Sequence, residues 1–165
     1  YAADVMVYPL GRENLPAGLA RRIRAQLERY RRIGHDVEVH AACYVPLRIA
    51  LFVCVLPDFL VAHVEAELRD RFGSGLRRDG TPGFFHPDRL KLGAPVFASA
   101  LLAEAQAITG VAHVEITTLA RAEGDDEGVP EDGVLHLAAR EIAQLDNDPD
   151  HPDHGSIAFT LGGGR

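Results

Sequence analysis

The chain has 165 residues, 47% of them hydrophobic, with 17 basic and 24 acidic side chains and a formal net charge of −7. That length supports one ordinary core or two small sub-domains, and no apolar run approaches the roughly 20 residues that a bilayer-crossing helix needs, which predicts a soluble chain. Charge is unevenly placed, with seven arginines against Glu13 and Glu28 between Arg12 and His35, and eleven acids against Arg140 alone between Glu123 and Asp153.

A chain basic at one end and acidic at the other predicts electrostatic contacts with protein neighbours, or copies meeting head to tail. The opening on Tyr1, almost directly before a strand, predicts a piece of a longer chain. From Asp4 to Leu10, DVMVYPL reads as a short strand closed by Pro9 and Gly11. Pro16 then opens a helix where its missing donor costs nothing. Leu19, Ile23, Leu27 and Tyr30 form its apolar stripe, and Gly34 caps its C-terminus. Arg21, Arg22, Arg24, Arg29, Arg31 and Arg32 fall on the other face. Such a face is either a phosphate-binding ridge or a solvated or subunit-contacting surface, and no interleaved aromatic supports the first.

Val37 to Val39 is a second strand, and it leads into the run that organises the chain, YVPLRIALFVCVL from Tyr44 to Leu56. Its odd positions Val45, Leu47, Ile49, Leu51, Val53 and Val55 are all apolar, the two-residue period of a strand with one face fully buried. Polarity on the even side stops after Arg48, which predicts a central strand covered on both faces at its far end. Pro46 places the strand's entry at a sheet edge or start. Cys43 and Cys54 lie beside and on this run, about 35 Å apart when extended, so they cannot bridge each other; both are expected as reduced thiols, with Cys54 behaving as a small hydrophobe.

Asp58 is expected to cap a helix with Val61, Val64, Leu68 and Phe72 inward. Residues 73 to 95 form a long loop holding the compact segment GFFHPDRLKLGAPV, in which Phe84 and Phe85 need a buried partner. A helix from about Val96 to Ile108 turns Phe97, Leu101, Leu102, Ala105 and Ile108 inward, and Gly110 stops it. Val111 to Arg121 alternates as a strand, with Ala112, Val114 and Ile116 on one side and His113, Glu115 and Thr117 on the other. A loop over 122–133, its acidic stretch from Glu123 to Gly133, precedes strand candidates at Val134 to Leu137, Glu141 to Leu145 and Ser156 to Leu161. These elements predict an α/β (α+β) chain in two small mixed-sheet sub-domains, 1–43 and 44–165, each with strand, helix, strand units and helices packed on the sheet.

Chemistry is sparse in this pattern. Asp146, Asp148, Asp150 and Asp153 alternate superficially like a calcium loop, but Pro149 interrupts the ligand run, His151 stands where glycine is needed and Ile157 replaces the bidentate Glu. His151 and His154 are close enough in sequence to share a metal, yet Pro152 between them argues against a helix that would aim them together. A turn in which Asp and Asn hold their own backbone is the favoured reading. His35, His40, His63, His86, His113 and His136 show no ligand spacing. Ser74, Ser99 and Ser156 lie in no nucleophile elbow, and the terminal LGGGR has no helix after it to bind phosphate. The expectation is a non-enzyme with no catalytic residue, no cofactor and no metal ligands.

Three stretches carry a family likeness: YVPLRIALFVCV (44–55), GFFHPDRLKLGAPVFASALLAEAQAITGVAHVEIT (83–117) and REIAQLDNDPDHPDHGSIAFTLGGGR (140–165). With them, from Gly34 onwards, the chain resembles the C-terminal part of baseplate J-like proteins of contractile phage tails and related injection systems. The resemblance implies a wedge subunit, assembled in the cytoplasm, that joins other wedge subunits, hub and spike and sheath-proximal proteins in a six-fold ring. It implies homo- or hetero-oligomers; no membrane partner is expected from the lack of a spanning run, and the scaffold reading is favoured over a nucleic-acid partner, which stays open for the basic end. The acidic insert 123–132 has no counterpart in the likeness. Interface candidates are Arg21, Arg22, Arg29 and Arg32, the turn residues Phe84, Phe85, His86 and Asp88, and Asp146, Asn147 and Asp148, the two turns serving as rigid connectors. Alternatives from other classes are a metal-dependent hydrolase built on Asp146, Asp148, His151 and His154, and a nucleic-acid-binding module built on the arginine face.

Overall fold

The computed structural model describes residues 2–7, 9, 14–124 and 128–165. Among them are three α-helices and eight strands in mixed sheets, in the order β1 (Ala2–Val7), α1 (Ala17–Glu28), β2 (Asp36–Ala41), β3 (Cys43–Val55), α2 (Val61–Arg71), β4 (Val96–Phe97), α3 (Ala98–Gln106), β5 (Val111–Arg121), β6 (Val134–Leu135), β7 (Glu141–Gln144) and β8 (Ser156–Gly163). The fold is the expected α+β arrangement, and it divides into a unit spanning Tyr1–Tyr44 and a second spanning Val45–Arg165.

In the first unit β1 and β2 pair in parallel, Ala2 opposite Asp36 through Val7 opposite Ala41. Parallel neighbours need a crossover, which α1 provides by packing on β2. Leu19, Ile23 and Leu27 are half-buried on its inner side, but the helix ends at Glu28 with Arg29 as its C-cap, earlier than the stripe predicted. Tyr30 and Ile33 consequently stand in solvent, 76% and 102% exposed. Gly34 takes a left-handed φ of 84° in the turn that follows instead of capping the helix.

In the second unit β3 is the hub. It pairs β5 in antiparallel and β8 in parallel, and β7 joins the same sheet. Every odd side chain from Val45 to Val55 is at most 6% exposed. Against that face pack Val64, Leu68 and Phe72 of α2 and its C-terminus, and Leu101, Ala105 and Ile108 of α3 and the turn after it. The even face is different from expectation. Phe52 and Cys54 are half-buried and Leu56 is exposed. Phe52 lies over Gly162, whose missing side chain makes room for the ring.

Three further expectations are corrected by local geometry. Asp58 sits in a turn, and α2 starts after Leu60 with no side-chain cap. Phe97 ends the short β4 strand, which pairs with β6, so its side chain is 47% exposed and α3 begins only at Ala98. In β5 the strict alternation fails: register shifts between Ala50 and Leu51 and between Cys54 and Val55 insert extra residues at Thr117 and Ala112. A bulge resets which face the next residue takes. Val111, Val114 and Leu119 are therefore buried and Ala112 is exposed.

Candidate functional site

The segment Gly83–Asp88 is built into the end of α2. Phe84 N–H donates to the Arg71 carbonyl at 2.8 Å and Phe85 N–H to that of Gly73 at 3.3 Å. A Cβ on Gly83 would collide with the Gly73 carbonyl oxygen, so only glycine lets the two backbones close. Phe85 is 1% exposed, while Phe84 forms the middle of an aromatic row, 5.7 Å from Phe72 and 5.0 Å from Phe85 between centroids. Arg89 lies over the Phe84 ring at 5.2 Å and donates to Glu104, as does Arg71. Burial pushes the Glu104 carboxyl up, and the hydrogen bonds from Arg89 and Arg71 outweigh it and hold it below its ordinary value. His86 Nδ1 accepts from Asp88 N–H at 3.1 Å, leaving the Asp88 side chain exposed. Phe84, Phe85, Arg89, Lys91 and Phe97 line a cleft of about 170 Å³.

The connection from β7 to β8 carries Asp146, Asn147 and Asp148. Asn147 has the only positive φ among the described non-glycine residues, 51°, and its Oδ1 accepts from Ile157 N–H at 3.1 Å. Asp148 Oδ1 accepts from Asp150 N–H at 2.9 Å, closing a turn of the Asx type. Asp146 Oδ2 accepts from His154 Nδ1 at 2.9 Å. Gly155 seals the connection, since a Cβ there would stand 2.7 Å from the N and O of Leu47 and its φ is 89°.

Pro152 does not separate the two histidines as the sequence suggested. It takes the first position of a one-turn 3₁₀ helix, Pro152–His154, where its missing N–H is harmless. Side chains three apart eclipse in a 3₁₀ turn. The rings of His151 and His154 accordingly stack 4.9 Å apart at 10°, and the ligand atoms of His151, Asp153 and His154 all lie within 4.8 Å of one another.

A second such group escaped sequence reasoning. Asp4, Glu38 and His40 meet because β1 and β2 pair with Asp4 opposite Glu38, and His40 lies two residues on along the same face. Only the register of the parallel pair would have found it. Here His40 Nε2 is already engaged by Glu38 at 3.1 Å.

The arginines are exposed but do not form one helical face. Arg21, Arg22 and Arg24 project from α1, whereas Arg29 caps it and Arg31 and Arg32 lie beyond it. Arg31 is held by Glu28 and by the His35 carbonyl. Among the described residues, no helix is long and apolar enough to cross a membrane. Compared with protein-family models and with curated proteins, the chain matches none.

Proposed function

We propose that this chain is an assembly module, a wedge component of the baseplate of a contractile tail or injection system, which works by holding protein neighbours in register. The observation that carries the reading is where the residues of the family likeness are used. Phe84, Phe85 and His86 fasten one turn to the end of α2, and Asn147 and Asp148 fasten another between β7 and β8. Side chains spent on fixing backbone suit a part that transmits position between neighbours.

Charge supports the same reading. The first 44 residues hold seven arginines and five acids, and the remainder holds ten basic and nineteen acidic side chains. Exposed Arg21, Arg22, Arg24, Arg29 and Arg32 then offer a basic surface to an acidic neighbour, which sets orientation and encounter rate more than affinity. The test is to delete the chain from its native system and image the particles by electron cryomicroscopy. Tubes or sheaths lacking baseplates are the expected outcome. Complete baseplates would refute the assignment.

A further inference from the structure

We propose that the cleft walled by Phe84, Phe85, Leu90 and Phe97 and rimmed by Arg89 and Lys91 receives the acidic turn around Val129 of a second copy of this chain. The cleft measures about 170 Å³, below the roughly 300 Å³ at which small-molecule sites begin. It suits one aliphatic anchor pressed against an apolar floor. Phe85 is buried, Phe84 and Leu90 are half-buried and Phe97 is exposed, so apolar surface is left uncovered here.

Charge selects the occupant. Arg89 and Lys91 are the charged side chains of the lining, and both are exposed. Arg89 shares Glu104 with Arg71, so two guanidiniums meet one carboxylate, and Lys91 adds a further positive charge. Asp88, next along the turn, lies outside the lining. Such a surface calls for an apolar side chain flanked by carboxylates. The chain itself holds a segment of that kind: from Glu123 to Asp132 there are six acids and no base, with Val129 and Pro130 as the apolar pair among them. That stretch has no counterpart in the family likeness, so the contact it makes is this chain's own addition.

The turn is tied down and presented outward. The Gly128 carbonyl accepts from Leu119 N–H at 2.8 Å, that of Pro130 from Gly133 N–H at 2.8 Å, and that of Gly133 from Ala98 N–H at 2.9 Å. Val129, 37% exposed, and Glu131 face solvent on this frame, and a segment already ordered loses little freedom on docking. The same bonds fasten the turn to β5 and to the start of α3, and among the described residues none from 128 to 133 lines the chain's own cleft. A second copy is therefore the source. Turn and cleft are different surfaces, so the contact is directional, and copies join in a row or ring, or reciprocally in pairs.

The test is analytical ultracentrifugation of the full chain across protein and salt concentrations; it needs no native particle, so its failure is distinct from failure of the baseplate assignment. Wild type is expected to associate as its concentration rises and to dissociate with added salt. Lys91→Glu and Val129→Asp, both at exposed positions, should each weaken association by about tenfold or more, with the circular-dichroism spectrum unchanged. Arg22→Glu, at an exposed position on α1, should leave association as it is. When mixed, the Lys91→Glu and Val129→Asp chains together retain one intact turn and one intact cleft, and should pair one to one. A monomer at every concentration, association that survives both substitutions, or a mixture of the two variants that stays monomeric would each overturn the proposal, as would association lost in Arg22→Glu alone.

Discussion

Glu141 shows how one side chain can hold three segments together. Its carboxylate accepts from Arg121 Nη1 and Nη2 at 3.0 and 2.7 Å and from Ala138 N–H at 2.8 Å, tying the end of β5 to the entry of β7. The Arg121 hydrogen bonds, followed by that from Ala138, lower its pKa from the ordinary 4.5 to about 2. A carboxyl whose folded pKa is depressed stabilises the fold fully above its unfolded pKa, and that contribution is lost as pH falls from about 4.5 towards 2. Glu141→Gln should cost about 1–2 kcal/mol at pH 7, given that the pair is partly solvated. The difference from wild type, followed by urea unfolding across pH, should shrink through that acidic window. Asn147 presents a different economy. Its side chain serves the Ile157 amide while its backbone occupies the left-handed region, so Asn147→Ala loses the bond and keeps the strain. A loss of about 1–3 kcal/mol in the same assay is expected, with Asn147→Gly recovering the backbone part only.

At the scale of elements, β3 dominates. Leu51 is 1% exposed at its centre and touches both helix-covered and strand-paired neighbours. Leu51→Ala should destabilise the protein by about 2–5 kcal/mol in chemical denaturation, because a cavity remains where the side chain was. Phe97→Ala, at a 47% exposed position, should cost far less, although the sequence places Phe97 on an inward stripe. That contrast shows where pattern reading works. β3 was legible because its odd residues are uniformly apolar and a period of two leaves no other face for them. The face of β5 was not, because bulges at Ala112 and Thr117 leave no signature in local composition. The start of α3 was misplaced since two residues of β4 are claimed by a distant partner, Val134–Leu135. The turn residues Asn147 and Asp148 were legible as backbone-fixing because Asx chemistry is local. The pairing of His151 with His154 was hidden by Pro152, which reads as a breaker until one knows that it heads a turn.

The whole molecule divides its apolar content unequally. Among the described residues of the first unit, Val37 and Ala42 are the only buried hydrophobic side chains, whereas the second unit buries a continuous cluster from Val45 to Ile157. Local opening free energy follows buried apolar contact. Backbone amides of β1 and β2 should therefore exchange with deuterium much faster than those of β3 between Leu47 and Val55, as hydrogen-exchange mass spectrometry would read; uniform protection across both units would contradict this. The parallel pairing of β3 with β8 has a mechanical side as well. Eight matched positions run from Arg48 opposite Ser156 to Val55 opposite Gly163. A tensile load pulling the start of β3 against the end of β8 would act in shear, straining every rung of that ladder at once instead of peeling rungs singly. The same sheet pulled crosswise would unzip, so its resistance to force depends on the direction in which neighbours tug.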